Sequence, residues 1–378
     1  MIRSICLSFF LMHLYVHVPF CQRRCSYCDF SIAVRKRIPA DGYVDAILKE
    51  AQPLADVEID TLYFGGGTPS LLPSDAISHL VNQLAPSIRN PQSAIRSIEI
   101  TLEANPEDVT PEHAKAWRVA GVNRVSLGAQ SFDDTVLKWM HRSHDAARIG
   151  AAVHALRGAG IENISLDLIF GLPEELHRDW DRDLEMACAL GTPHLSLYGL
   201  TIEPRTPLDR WISRGATKAP DDEHYAAEYL AAHRRLTAAG FEFYEVSNAA
   251  RDGFRSRHNS AYWSGKAYVG LGPAAHSFDG RTRRWNLRAW ESYRRAIAEG
   301  RSTIESEETL TYEQQELERL YLALRTSEGL PVTARYRPLP PFTAWLVEHD
   351  GRVKCTPEGW LRLDSLVSDL AMHSETPR

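Results

Sequence analysis

Short apolar stretches rich in β-branched and aromatic residues recur at Leu14 to Val18, Thr61 to Phe64, Ile98 to Leu102, Arg124 to Leu127, Ile164 to Phe170 and His194 to Tyr198. Each reads as a strand. Between them run helical patterns with recognisable starts. Asp41 precedes YVDAILKEAQPL, Pro73-Ser74 opens SDAISHLVNQL, Thr110-Pro111 opens PEHAKAWRVAG with Gly121 as a stop, and Asp145 opens AARIGAAVHALRGAG. These are the capping and first-turn proline signals of helix starts. Six strand and helix units in series predict an α/β fold in which parallel strands, joined by right-handed crossovers with helices outside, close into a full or partial (β/α)6 TIM-like barrel. Chemistry in such a fold gathers at the strand carboxyl ends. The segments expected there are PFCQRRCSYCDF, GGGTPS, EANPED, GAQSF, GLPEE and GLTIEP. Gly and Pro suit any turn, but turn chemistry does not account for Glu103, Gln130 and Asp167 standing at or just past strand ends.

After Gly300 the pattern changes. SEETLTYEQQELERLYLALRTSEGL predicts one amphipathic helix ending at Gly329, followed by a turn rich in proline (Pro331, Pro338, Pro340, Pro341). FTAWLVEHDGRVKCTPEGWLRLDSLVSDLAM then predicts a helix, a short hairpin around GRVKCTPEGWLRL and a closing helix. This order suggests a small winged-helix-like domain over 301–378, after a barrel over 12–250 and a connecting segment over 251–300. The first eleven residues carry one Arg and a short apolar run without a small-residue cleavage site, too short to span a bilayer, so 1–11 read as an upstream extension before Met12.

The chain has 378 residues, 44% hydrophobic and 24% charged, which is the ordinary globular range and excludes a disordered or collagen-like chain. With 43 Lys and Arg against 49 Asp and Glu, it offers no basic surface to hold nucleic-acid phosphates. Six cysteines are too few for a disulfide framework, and three of them bunch as Cys21-x-x-x-Cys25-x-x-Cys28. That loop can bind three corners of a cubane iron-sulfur cluster and leave the fourth iron open to an external ligand. A structural zinc site or three unrelated thiols are the alternatives. Zinc usually takes paired CxxC knuckles, and Cys6, Cys188 and Cys355 offer no second one. A cluster demands a reducing compartment, so a cytoplasmic location is expected.

CQRRCSYC resembles the CxxxCxxC signature of the radical S-adenosylmethionine (SAM) superfamily, and GGGTPS resembles its glycine motif. The resemblance implies a [4Fe-4S] cluster whose open iron is chelated by the amino and carboxylate groups of SAM, and whose electron cleaves the sulfonium. Gly65, Gly66 and Gly67 let backbone polar groups approach that cofactor. YVHVPFC, GGGTPS, TLEANPE, RVSLGAQSF, DLIFGLP, LSLYGLTIEPRTP, YEVSNAA, HNSAYW and GLGPAAHS follow in this order from 15 to 277, resembling the HemN-like coproporphyrinogen dehydrogenase branch. The SAM contacts of that branch fall here on Tyr15, Tyr27, Gly66, Gly67, Thr68, Glu103, Gln130, Arg142 and Asp167, with Thr201 and His276 on a looser alignment. An acidic pair suits ribose hydroxyls or an ammonium, and Gln130 and Arg142 suit a carboxylate and hydroxyls. A strand-end polar cap is the alternative for any one of them.

Two departures place the chain within the branch. Coproporphyrinogen dehydrogenases resemble CxxxCxxCxC after a long N-terminal extension, whereas Asp29-Phe30 follows Cys28 here and only fourteen residues precede Tyr15. YCDF together with His258-Asn259-Ser260-Ala261-Tyr262-Trp263 instead resembles the HemW haem-chaperone family. The resemblance implies a protein that binds haem, a cluster and SAM and transfers haem to an acceptor protein. The alternative is an oxygen-independent coproporphyrinogen III dehydrogenase that removes propionate carboxylates by radical SAM chemistry. On the haem reading His258 is the axial ligand, Tyr262 and Trp263 offer flat apolar area, and Arg251, Arg255 and Arg257 pair with propionates. A packed loop is the plainer account of the same residues, and His276 competes for the axial role. Haem and an acceptor are the expected partners, nucleic acid is not, no segment is long enough to span a membrane, and peripheral membrane association stays open.

Overall fold

The structure, a computed structural model, describes residues 12–54, 57–85, 98–333 and 342–373. The proposed extension 1–11, with Cys6, and the prolines at 338, 340 and 341 lie outside the described residues. In chain order the strands are β1 (Met12–Val18), β2 (Phe20–Cys21), β3 (Ala33–Val34), β4 (Ile59–Gly66), β5 (Glu99–Ala104), β6 (Arg124–Gln130), β7 (Asn163–Phe170), β8 (His194–Gly199), β9 (Glu242–Glu245), β10 (Asn248–Ala250), β11 (Tyr268–Leu271), β12 (His276–Phe278), β13 (Thr282–Asn286) and β14 (Ile304–Thr309). All six predicted strands are present, and β1-β4-β5-β6-β7-β8 form a continuous parallel run. This is the partial (β/α)6 barrel that the sequence predicts. The sheet extends at both ends. Antiparallel β10 and β9 follow β8, while β11 pairs in parallel with β1 and carries the antiparallel β12, β13 and β14. Residues 251–300 therefore contribute the helix Arg257–Trp263 and three strands to the main sheet.

Two of the four helix-start signals act as side-chain caps, whereas Asp41 lies within the first turn of the helix Ala40–Ala51 and Pro73 precedes Ser74–Leu84 without a side-chain cap. Thr110 accepts from the His113 amide at 3.1 Å and Gly121 ends that helix at φ 108°, while Asp145 accepts from the Arg148 amide at 2.9 Å. The strands, however, alternate. Leu14, Val16 and Val18, then Leu62 and Phe64, Ile100 and Leu102, Val125 and Leu127, Leu166 and Leu168, and Leu195 and Leu197 all belong to one buried apolar core with the surrounding helices. The positions between them, including His13, Thr61, Glu99, Arg124, Ser126, Ser165, Asp167, His194 and Ser196, are polar. Successive strand side chains point to opposite faces, so one face of the curved sheet packs under helices and the other is a polar lining.

Three sequence-based expectations fail beyond Gly300, the first being the helix expected at FTAWLVEHD, where Phe342–Ala344 forms a single 3-10 turn and Leu346–His349 is a strand. SEETL is not helical: Ile304–Thr309 pairs antiparallel with β13, and the helix is Tyr312–Arg325, started by a capping box of Thr311 and Gln314. The hairpin also lies earlier than predicted. Leu346–His349 pairs with Arg352–Cys355, the turn is Asp350-Gly351 with both φ positive (51° and 68°), and Leu330–Pro331 completes a three-stranded sheet. Thr356-Pro357 starts the short helix Pro357–Trp360 where the second hairpin strand was expected. Helix Leu363–His373 closes the unit.

Candidate functional site

β1 ends at Val18 and leads into the cysteine loop, whose neck is closed by the parallel pair β2 and β3. The Ala33 amide donates to the Pro19 carbonyl at 2.7 Å and the Arg35 amide to that of Cys21 at 2.9 Å. Cys21, Cys25 and Cys28 are free thiols lining one cavity at the strand carboxyl ends. Burial pushes the Cys21 thiol up to about 11 and raises that of Cys28. Burial disfavours the thiolates of Cys21 and Cys28 unless a cationic partner stands beside them, which the irons of a cluster would supply. Other features of the cradle fit such a cluster. The Thr68 hydroxyl donates to Cys21 Sγ at 3.4 Å, and Arg142 Nη1 donates to Cys25 Sγ at 3.6 Å. A Cβ on Gly67 would lie 2.8 Å from the Phe20 carbonyl oxygen and 3.0 Å from Cys21 Sγ, so only glycine leaves the sulfur in place. Among the described residues no three His, Cys, Asp or Glu side chains converge on a single ion; corners of a cubane hold their thiolates further apart.

The same cavity is lined by Tyr27, Gly66, Gly67, Thr68, Glu103, Gln130, Arg142 and Asp167. Glu103 accepts from the Gly66 amide at 3.0 Å and the Tyr63 hydroxyl at 2.8 Å. Asp167 accepts from Ser126 Oγ at 3.0 Å and Ser165 Oγ at 3.2 Å. Burial pushes Glu103 up to about 7 and Asp167 up to about 6, against the pull of these donors. Gln130 adopts φ 70° at the end of β6, beyond a register shift that starts at Leu127. Its Nε2 sits 2.8 Å from where a Cβ on Gly128 would stand, so that glycine admits the side chain. Arg142 Nη2 donates to Asn105 Oδ1 at 2.6 Å and to the Gly128 carbonyl at 3.0 Å, while its Nε is buried without a partner. Tyr15 and His276 instead line a neighbouring cavity that shares Gly66 and Glu103 with the first. Thr201 is exposed past the end of β8 and does not line the cysteine cavity. The supports Tyr63, Asn105, Ser126 and Ser165 were not singled out from the sequence, although Asn105 stands inside the motif TLEANPE and the serines fall in the polar phase of their strands.

HNSAYW is placed differently from the expectation. His258 is 1% exposed, with Nδ1 hydrogen bonded to Thr61 Oγ1 at 2.7 Å and Nε2 to the Tyr262 hydroxyl at 2.9 Å. Its ring stacks on Tyr63 at 4.9 Å, and burial lowers its pKa to about 3. An axial bond from His258 would require one of those hydrogen bonds to break. The Trp263 ring is covered by the Arg325 guanidinium at 4.1 Å, so His258, Tyr262 and Trp263 do not form one open porphyrin-sized face. The arginines have other partners: Arg255 pairs with Glu242 at 2.7 Å and Glu328 at 3.4 Å, Arg257 with Asp60, and Arg251 lies over Phe241.

Comparisons with known proteins agree with the geometry. The model of the radical SAM superfamily matches residues 15–187. The chain is 36% identical to the heme chaperone HemW of Mycobacterium tuberculosis over 94% of each chain, and 34% identical to that of Bacillus subtilis over 84% of each. Among solved structures, the Escherichia coli coproporphyrinogen III oxidase HemN superposes with a TM-score of 0.77 at 22% identity, covering 97% of this chain and 90% of that one, a likeness of fold. Among the described residues no helix is long and apolar enough to cross a membrane.

Proposed function

The chain belongs to the heme chaperone HemW family of the radical SAM superfamily, and from that membership we propose that it binds haem beside a [4Fe-4S] cluster and SAM and passes the haem to an acceptor protein. One observation carries the reading: the likeness to the mycobacterial relative runs through nearly the whole of both chains, beyond the barrel into the strands and helices that follow it. When bound, cluster and SAM supply one-electron chemistry at a sulfonium. The chain's own part is to hold them. Cys21, Cys25 and Cys28 ligate the cluster, with Thr68 and Arg142 donating to two of the sulfurs. Glu103 and Asp167 take ribose hydroxyls or the ammonium of SAM, and Gln130 and Arg142 its carboxylate and hydroxyls. Asp29-Phe30, in place of a fourth nearby cysteine, supports haem handling over oxidative decarboxylation.

The test is anaerobic reconstitution of the full chain with iron and sulfide, followed by a haem titration and by incubation with SAM and coproporphyrinogen III. Saturable haem binding without protoporphyrinogen formation is expected. The iron-sulfur absorbance should vanish in Cys21→Ala, Cys25→Ala and Cys28→Ala. Turnover of coproporphyrinogen at enzymatic rates, or the absence of saturable haem binding, overturns the reading.

A further inference from the structure

The cavity beside the cysteine site holds Tyr15 and His276, two residues that the resemblance offers to SAM, apart from the cavity that the three cysteines line, and the function described so far gives it no ligand of its own. It encloses about 590 Å3, within the range of about 300–1,000 Å3 typical of small-molecule sites. It shares Gly66, Glu103 and Phe30 with the cysteine cavity, so a ligand in it would lie against the cluster and SAM. Phe30 is 59% exposed, the aromatic half of the Asp29-Phe30 pair that distinguished this sequence. His276, Trp285 and Arg288 line the same cavity. Resting on the haem reading above, we propose that this second cavity is the haem site, with His276 as axial ligand, Phe30 against the macrocycle and Arg288 facing a propionate.

The histidine chemistry supports this choice. An axial ligand needs a nitrogen lone pair that nothing else occupies. His17, His144, His194 and His258 have both ring nitrogens bonded, to Tyr15 and Ser31, to Glu107 and Ala129, to Ser165 and Tyr244, and to Thr61 and Tyr262, while His13 is bonded to Thr61 through Nδ1 and is only 2% exposed. His141 lines the cysteine cavity itself, packed edge-on against Trp211. His276 is exposed and makes no side-chain hydrogen bond among the described residues. Its ring stacks on Trp285 at 5.8 Å with an interplanar angle of 23°, which holds its plane while leaving both nitrogens accessible. Partial desolvation at the cavity and the nearby Arg283 and Arg288 lower its pKa, which favours the neutral imidazole. The turn that presents it is strained: Ala274 has φ 60°, two residues before β12, held by its amide to the Leu287 carbonyl at 3.0 Å. Non-glycine residues keep such a conformation only where their surroundings impose it. Arg288 makes no ion pair among the described residues, and a guanidinium matches a carboxylate in two parallel hydrogen bonds.

Haem titrations of the reconstituted full chain, read at the Soret band, test the site. His276→Ala should weaken haem binding about tenfold or more and change the band to that of a haem lacking the histidine, with added imidazole restoring the original spectrum. Arg288→Ala should weaken binding by about threefold to tenfold, as for one charge-assisted pair. The iron-sulfur absorbance should be unchanged in both, and SAM binding unchanged in Arg288→Ala, which also shows that they fold. Equal haem affinity and spectrum in His276→Ala and the parent overturn this placement while leaving the haem function intact. A larger loss in His141→Ala than in His276→Ala also overturns it. No saturable haem binding by the parent chain overturns the placement and the function together.

Discussion

Glu103 and Asp167 are acids held in the barrel mouth by neutral donors and pushed up to about 7 and about 6 by burial. Below pH 7 Glu103 is largely protonated, and only its ionised form accepts fully from ligand donors. SAM should therefore bind more tightly as pH rises from about 6 to about 8. Glu103→Gln should weaken binding at pH 8 by about ten- to a hundredfold, the worth of a hydrogen bond to a charged group, about 1.5–3 kcal/mol, and should flatten the pH dependence. An isothermal titration series across that range checks both, and an unchanged slope would remove Glu103 from the SAM contacts. Stability runs the other way. An acid whose folded pKa is raised binds its proton more tightly folded than unfolded, so its contribution falls as pH rises from the unfolded value to about 7. Glu103→Gln should accordingly be no less stable than the parent at pH 8, separating lost affinity from lost fold.

The strands owe their division of labour to a period of two. Leu14, Val16 and Val18 go to the helical layer, and His13, Tyr15 and His17 do not. The alternation is written in the sequence, yet it is masked when Tyr, Phe and the aliphatic residues are counted together as apolar. The hairpin at the other end teaches a similar lesson. Asp350-Gly351 is a two-residue turn whose positive φ values match the twist of flanking strands. Gly351→Val forces a β-branched residue into the left-handed region and should cost about 1–2 kcal/mol. Faster hydrogen exchange in Leu346–His349 and Arg352–Cys355, with the iron-sulfur absorbance unchanged, is the expected result. Unaltered exchange would mean that the turn does not hold the pair.

At the scale of the whole molecule, the C-terminal unit is fastened to the sheet by buried polar contacts. Arg325 pairs with Glu245 at 2.7 Å, where Glu245 is fully buried, and also covers Trp263. Trp360 Nε1 donates to the Leu324 carbonyl at 3.0 Å. Removing one partner of a buried pair leaves a charge without compensation and typically costs about 3–5 kcal/mol. Arg325→Ala should lower the unfolding free energy by about that much in urea titrations, and adding Glu245→Gln should recover part of the loss. A loss below about 1 kcal/mol would show that water reaches Glu245 and that the unit is held by apolar packing alone.

The amino-acid sequence alone determined the six parallel strands, the capped starts at Thr110 and Asp145 and the three cysteines, because each is a short-range signal: a run of four to seven residues, a cap beside its helix, thiols within one loop. It also placed Glu103 and Gln130 at strand ends, where the cavity lies, whereas Asp167, expected at a strand end, lines the cavity from within β7. Tertiary structure decided what depends on distant partners. β11 joins β1 although more than two hundred residues separate them, which turns 251–300 into part of the sheet. Tyr63 and Ser126 matter because the register sets them beside Glu103 and Asp167. Among the 15 histidines, the motif drew the eye to His258, but Thr61 and Tyr262 occupy both its nitrogens, and the strained turn before β12 leaves those of His276 accessible at a cavity. Residue type and spacing are local properties, whereas whether a lone pair is available depends on the side chains that folding brings beside it.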